Sequence, residues 1–152
     1  ELEPRTELAT VETNGLGFTR MVTAAFNHMA THGGGHIAAI TSIAGTKGLG
    51  AAPAYSATKA FQNCYLQALE QQSAMRKLGI TFTDVRPGFV DTALLGGDHY
   101  PMLMDCKVTA VGIVNAILAH RHVCVIDWRW RLLTALWRRV PRWLWRRLPV
   151  HQ

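Results

Sequence analysis

The stretch His36–Lys59, HIAAITSIAGTKGLGAAPAYSATK, constrains this chain most. An apolar run, His36 to Thr41, leads into Ser42; a glycine-rich loop follows from Gly45 to Ala52, and Pro53 opens a helical pattern. A short β-rich run of this kind suits a buried parallel strand, and proline is favoured in the first turn of a helix. The helix reads from Pro53 to about Lys77, with Gly79 ending it, and Ile80–Val85 supplies a second strand. Lys107–His120 then reads as a helix and His122–Ile126 as a last strand. Upstream, Phe18, Val22, Ala25, Phe26 and Met29 recur with the period of an amphipathic helix, placed at about Glu7 to Thr31. Residues 1–13 read as a polar loop running into it. This alternation predicts an α/β fold, a parallel sheet with flanking helices and right-handed crossovers.

The chemistry concentrates where the glycine loop meets the helix. Tyr55 and Lys59 are four residues apart, so they lie one above the other on one helix face. An ammonium beside a phenol favours the phenolate, which suits Tyr55 to giving and taking a proton. Ser42, at the mouth of the preceding strand, can aim a hydroxyl at the same point. The loop between them fits neither dinucleotide nor P-loop spacing, so it reads as a flexible segment beside an active site rather than a phosphate cradle.

A Tyr-x-x-x-Lys pair alone is common on solvated helices; its surroundings make it specific. Strand, Ser42, glycine loop and Tyr55-x-x-x-Lys59 together resemble the catalytic segment of the short-chain dehydrogenase/reductase family. Thr13-Asn14-Gly15-Leu16-Gly17 resembles that family's helix segment bearing a fourth active-site residue, here Asn14. Arg86-Pro87-Gly88-Phe89-Val90-Asp91-Thr92 resembles its Pro-Gly-x-Val-x-Thr segment. The resemblance runs from about Asn14 to Ile126 and covers the C-terminal portion of a Rossmann-like fold.

The resemblance implies hydride transfer between a nicotinamide cofactor, NAD or NADP with NADP preferred, and a carbonyl or alcohol carbon. Tyr55 would pass the hydroxyl proton, Lys59 would favour the phenolate and hold the nicotinamide ribose, and Ser42 would polarise the substrate oxygen. Asn14 would hold a water linking Lys59 to solvent. Pro87, Gly88, Val90 and Thr92 would line the nicotinamide side, with no metal. Residues 91–106, with Gly96, Gly97, Asp98, His99, Tyr100, Met102, Leu103 and Met104, resemble the family's substrate-binding lid, and the three apolar residues point to an apolar substrate. Homo-oligomers through the two long helices are implied too. The family's glycine-rich dinucleotide fingerprint has no counterpart here, so the chain reads as a fragment or as one partner of a two-chain site. Alone, it is expected to bind the dinucleotide weakly, with Ile37–Thr41 left as an apolar sheet edge.

Charge divides the chain in two. Residues 1–127 hold nine Lys and Arg against ten Asp and Glu, whereas 128–152 hold seven arginines and no acid. That second segment carries all five tryptophans. On a helix Trp130, Leu133, Trp137, Val140, Leu144 and Leu148 share one sector, and Arg131, Arg138, Arg139, Arg142 and Arg146 lie opposite; Pro141 should kink the element or start a second one. This basic amphipathic tail suits either a membrane interface, through 128–148, or packing on the body or a partner subunit. Nucleic acid is a weaker candidate, since no binding module is present. The boundary is placed at 127/128. The alternative function is a non-catalytic scaffold of the same fold, working through its tail. Three scattered cysteines fit a reducing, cytoplasmic setting, peripheral to a membrane if the tail inserts.

Overall fold

The computed structural model describes residues 2–95 and 100–148. Helix α1 (Pro4–Val11) passes through a π-helical turn (Glu12–Gly17) directly into α2 (Phe18–Thr31). Strand β1 (Gly35–Ile40) follows, then a 3-10 turn (Ile43–Thr46), α3 (Pro53–Arg76) and β2 (Ile80–Arg86). A short 3-10 turn (Ala93–Leu95) precedes α4 (Cys106–Leu118), β3 (Val123–Val125), α5 (Trp128–Trp137) and α6 (Arg142–Trp145).

The strands form a three-stranded parallel sheet in the order β1-β2-β3, with Ile37 opposite Phe82, Ile40 opposite Val85, and Val85 opposite Cys124. One face carries the main core, Val22 and Phe26 of α2, Leu66 of α3, and Ile37, Ile80 and Phe82 of the sheet. Strand residues alternate faces, so Thr83 and Val85, both fully buried, point the other way. His36, on that second face, accepts or donates a hydrogen bond with Thr83 and stacks on His120, just past α4. Helix α4 therefore covers the face opposite α3. Two successive crossovers running the same way along a sheet, with helices on opposite faces, cannot share one hand, so the expectation of right-handed crossovers throughout fails for one of them.

Two other expectations are corrected. The first helix begins at Pro4, ahead of the expected Glu7, so residues 4–6 are helical, not loop. Glu3 caps the helix, accepting from Thr6 N–H at 2.7 Å, and Pro4 sits in its first turn. Helix α1 has no buried residue, so no apolar stripe marked it in the sequence. Strand β1 ends at Ile40, because the Ser42 hydroxyl caps the 3-10 turn instead of extending the strand. Helix α3 closes on Lys77 in the left-handed conformation (φ 54°) ahead of Gly79.

The tail packs on the body. Trp130 is 2% exposed and shares a core cluster with Ile43 and Met104, joined by Leu133 and Trp137. Pro141 separates α5 from α6. Among the described residues, no helix is long and apolar enough to cross a membrane.

Candidate active site

The site sits where β1, α3 and β2 end or begin together. Thr41 N–H donates to Val85 O (2.8 Å) and Ile43 N–H to Pro87 O (3.1 Å), so the segment carrying Ser42 is stitched to the one carrying Pro87 and Gly88. Ser42 is buried, and its Oγ accepts from Ala44 N–H at 3.1 Å. That bond fixes the oxygen and leaves the hydroxyl proton free to be donated. The turn then presses onto α3 at Gly45, where an added Cβ would lie 2.6 Å from the Lys59 carbonyl. Only glycine permits that approach.

Helix α3 has no N-cap side chain of its own. Glu7 of α1 supplies one, accepting from Ala54 N–H at 3.0 Å, which steadies the turn bearing Tyr55. The Tyr55 ring is 38% exposed, and the Lys59 Nζ stands 5.6 Å from its centroid. Lys59 Nζ also donates to Ile40 O at 3.3 Å. Burial pulls the Lys59 ammonium below the ordinary lysine value, and the Asp84 carboxylate pulls it partly back.

Asn14 lies in the π-helical turn, a feature that recurs at functional sites. Its Nδ2 donates to Thr58 Oγ1 (3.3 Å), which in turn donates to Tyr55 O (3.0 Å). Its main-chain carbonyl accepts from Gln62 Nε2 at 2.8 Å. Gln62 Oε1 is buried and has no partner among the described residues.

Of the four residues expected on the nicotinamide side, Pro87 and Gly88 lie beside Ser42, whereas Val90 and Thr92 lie farther along. Val90 bridges to Met104, and Thr92 is exposed. The open α-carbon of Gly88 is covered by Trp130, whose indole an added Cβ would meet at 2.3 Å. The Trp130 Nε1–H donates to Met102 O at 3.2 Å. In the segment expected to form a lid, Met104 is buried in this cluster, Leu103 is 39% exposed, and the Tyr100 ring packs at a tilt on Phe89. Gly96 to His99 fall outside the described residues.

Sequence reasoning missed several groups. Trp137 Nε1–H donates to Thr46 Oγ1 (2.7 Å), and Trp145 Nε1–H to Gly48 O (2.7 Å). Lys47 Nζ donates to Val140 O (2.6 Å) and lies 5.3 Å from the Trp145 ring centroid. The glycine loop, read from sequence as flexible, is thus tied to the tail at three points. Asp84, Arg86 and Asn63, beneath Lys59, carried no motif; an acid and an arginine within a β-rich run were the available signal.

The family profile described as short chain dehydrogenase matches residues 1–99. An uncharacterized oxidoreductase of Mycobacterium tuberculosis is 29% identical over 138 residues, 88% of this chain and 54% of that protein. One from Staphylococcus aureus strain MW2 is 37% identical over 118 residues, 76% of this chain and 50% of that protein. The chain thus spans about half the length of these curated relatives. A short-chain dehydrogenase from Burkholderia cenocepacia, solved with NADP, superposes with a TM-score of 0.82 at 19% identity, over 98% of this chain and 61% of that one. One from Sphingobium yanoikuyae, solved with NADPH, gives 0.70 at 21% identity, over 93% and 57%. With the profile match, the parallel sheet and these likenesses together, the chain belongs to the short-chain dehydrogenase family.

Proposed function

We propose that this chain carries the hydride-transfer half of an NAD(P)-dependent oxidoreductase acting on a small carbonyl or alcohol. The observation that carries the reading is the Lys59 ammonium set against the open Tyr55 ring, one helical turn apart, at the sheet end where Ser42 is pinned to Pro87. Tyr55, open to the site with the Lys59 ammonium beside its ring, exchanges a proton with the substrate oxygen. Ser42 donates its hydroxyl proton to that oxygen and stabilises charge developing there.

The residues present suit the nicotinamide end of the cofactor. Among the described residues Lys59 has no carboxylate within ion-pair distance, so its ammonium is free to bind ribose hydroxyls. When bound, the nicotinamide supplies the hydride; the protein supplies position and electrostatics. NADP is preferred because two of the structural likenesses hold NADP and NADPH. The unpaired Gln62 Oε1 beside Asn14 supports a water there, linking Asn14 to the Lys59 proton path. An alcohol dehydrogenase specific for bulky ketones and an acetoin dehydrogenase, both similar in fold, support a carbonyl or alcohol substrate.

The test is hydride transfer from NADPH and NADH to a panel of ketones and aldehydes, followed by nicotinamide absorbance on the complete gene product. Wild-type turnover abolished by Tyr55→Phe is expected. Full turnover in Tyr55→Phe would overturn the assignment.

A second reading concerns the tail. Trp128, Leu132 and Leu136, four apart along α5, are 69%, 55% and 57% exposed, and Trp143 is 58% exposed. Set among arginines, this outward stripe supports contact with a membrane surface. Flotation with anionic liposomes, lost in Trp128→Ala/Trp143→Ala, would establish it; no flotation of wild type would exclude it.

A further inference from the structure

One carboxylate lies beneath all three segments of the site. Asp84, on β2, is 4% exposed. Its Oδ1 accepts from Thr41 Oγ1 at 2.5 Å, and its Oδ2 accepts from Arg86 Nε and Nη2 at 2.8 and 2.5 Å. Asn63, with its amide nitrogen toward these acceptors, donates to Thr41 Oγ1 (2.9 Å) and reaches Asp84 Oδ2 and Lys59 O (both 3.3 Å). Thr41 immediately precedes Ser42. Asn63 sits one turn beyond Lys59. Arg86 immediately precedes Pro87-Gly88.

We propose that Asp84 is the positioning residue of this site, its buried carboxylate tying together the segments that deliver Ser42, Lys59 and Gly88. A buried carboxylate is stable only where charge and hydrogen bonds offset its lost hydration. Here the offset comes from residues adjacent to the working ones, so the group that needs partners also fixes the site. A leucine or valine of similar size would fill the space but hold no register between Thr41, Asn63 and Arg86.

The carboxylate also acts through charge. Burial disfavours the Lys59 ammonium, and Asp84 is the group that favours it. Arg86, bound to Asp84, limits how much of that negative charge Lys59 feels. Other charged groups stand nearby: Glu7 of α1 caps Ala54, Glu12 of the π turn is exposed, Lys47 of the loop is turned to Val140 O, and the cavity lined by Asp84 and Arg86 also holds Glu70 and His122, paired with each other, and Arg138. On α3 itself Tyr55 faces Lys59.

Removing Asp84's charge therefore makes Lys59 lose its proton at lower pH, and removing Arg86's makes it do so at higher pH. The catalytic meaning of this rests on the function proposed above; the charge coupling does not. The chain has four lysines, Lys47, Lys59, Lys77 and Lys107, so reductive 13C-dimethylation gives a resolvable NMR titration, with Lys59→Arg assigning the signal. The expected result is opposite displacement of the Lys59 midpoint, downward in Asp84→Asn and upward in Arg86→Gln, with the other three lysines still. Thr41→Val, which breaks a bond without changing charge, should lower the melting temperature and leave the midpoint in place. A Lys59 midpoint unmoved in both charge variants, or moved the same way in both, would overturn the proposal and reduce Asp84 to a packing residue. Should Asp84→Asn not fold, Arg86→Gln alone decides, by an upward shift or none. Opposite shifts alongside an active Tyr55→Phe would sink the functional reading and leave the coupling standing. Loss of turnover in Tyr55→Phe without the shifts would do the reverse.

Discussion

The site and the tail are built from opposite materials. Around Lys59, a few polar side chains are bonded to one another, Thr41 and Asp84 buried, Asn63 and Arg86 half-buried. In the tail, rings do the holding. Trp130 covers Gly88, while Trp137 and Trp145 donate their N–H groups to Thr46 and Gly48, and the arginines line the outside. A tryptophan brings a large apolar face and one donor, so each indole can both fill a gap and tie down a loop carbonyl or hydroxyl. An Arg/Trp-rich composition, which alone suggests a surface, can thus conceal a buttress.

Four experiments put this contrast to the test. The largest effect is expected at the site: Tyr55→Phe should lower turnover by about 10²–10⁴-fold, the usual worth of a positioned proton donor, while leaving chemical denaturation unchanged. A comparable loss in stability would mean that Tyr55 is structural. Next, Trp130→Ala should cost about 3–5 kcal/mol in denaturant midpoint analysis, as truncation of a buried ring does, whereas Trp143→Ala should stay within about 0.5 kcal/mol, as an exposed position does. Equal costs would erase the distinction between inward and outward tryptophans. Trp137→Phe keeps most of the ring and loses the bond to Thr46, so a smaller cost of about 1 kcal/mol is expected.

The smallest effect is a pH slope. Lys59 in the folded protein binds its proton less tightly than in the unfolded chain. The unfolded state therefore holds more protons, and stability rises with pH from the depressed folded value up to the ordinary lysine value of 10.5. Lys59→Met should flatten that slope while abolishing turnover. An unchanged slope would mean that Lys59 is effectively solvated.

How much could be read beforehand follows the same division. Ile37 and Phe82 announced their strands, and Val22 and Phe26 their helix, because each buries an apolar face with a regular period. Ser42, Tyr55 and Lys59 were legible because their spacing is local. The start of helix α1 was not, since the helix buries no residue and its hydrogen bond to α3 comes from the single side chain of Glu7. Asp84 was illegible because its partners come from positions 41 and 63, and no periodicity records a hydrogen bond across strands. Trp130 and Trp128 look alike in sequence; one is 2% exposed and the other 69%, and only the path of the chain after β3 distinguishes them. The π turn left a faint sign, two glycines inside a helical pattern.

That turn has a consequence for how the gene can vary. A π turn holds one residue more than the α turn it replaces, and each residue rotates a helix by about 100°. Deleting a single residue between Glu12 and Gly17 would restore a regular helix with little loss of backbone bonding. It would also swing α1 around its axis and carry Glu7 away from the first turn of α3. The segment should tolerate many substitutions on its outer side and almost no change in length.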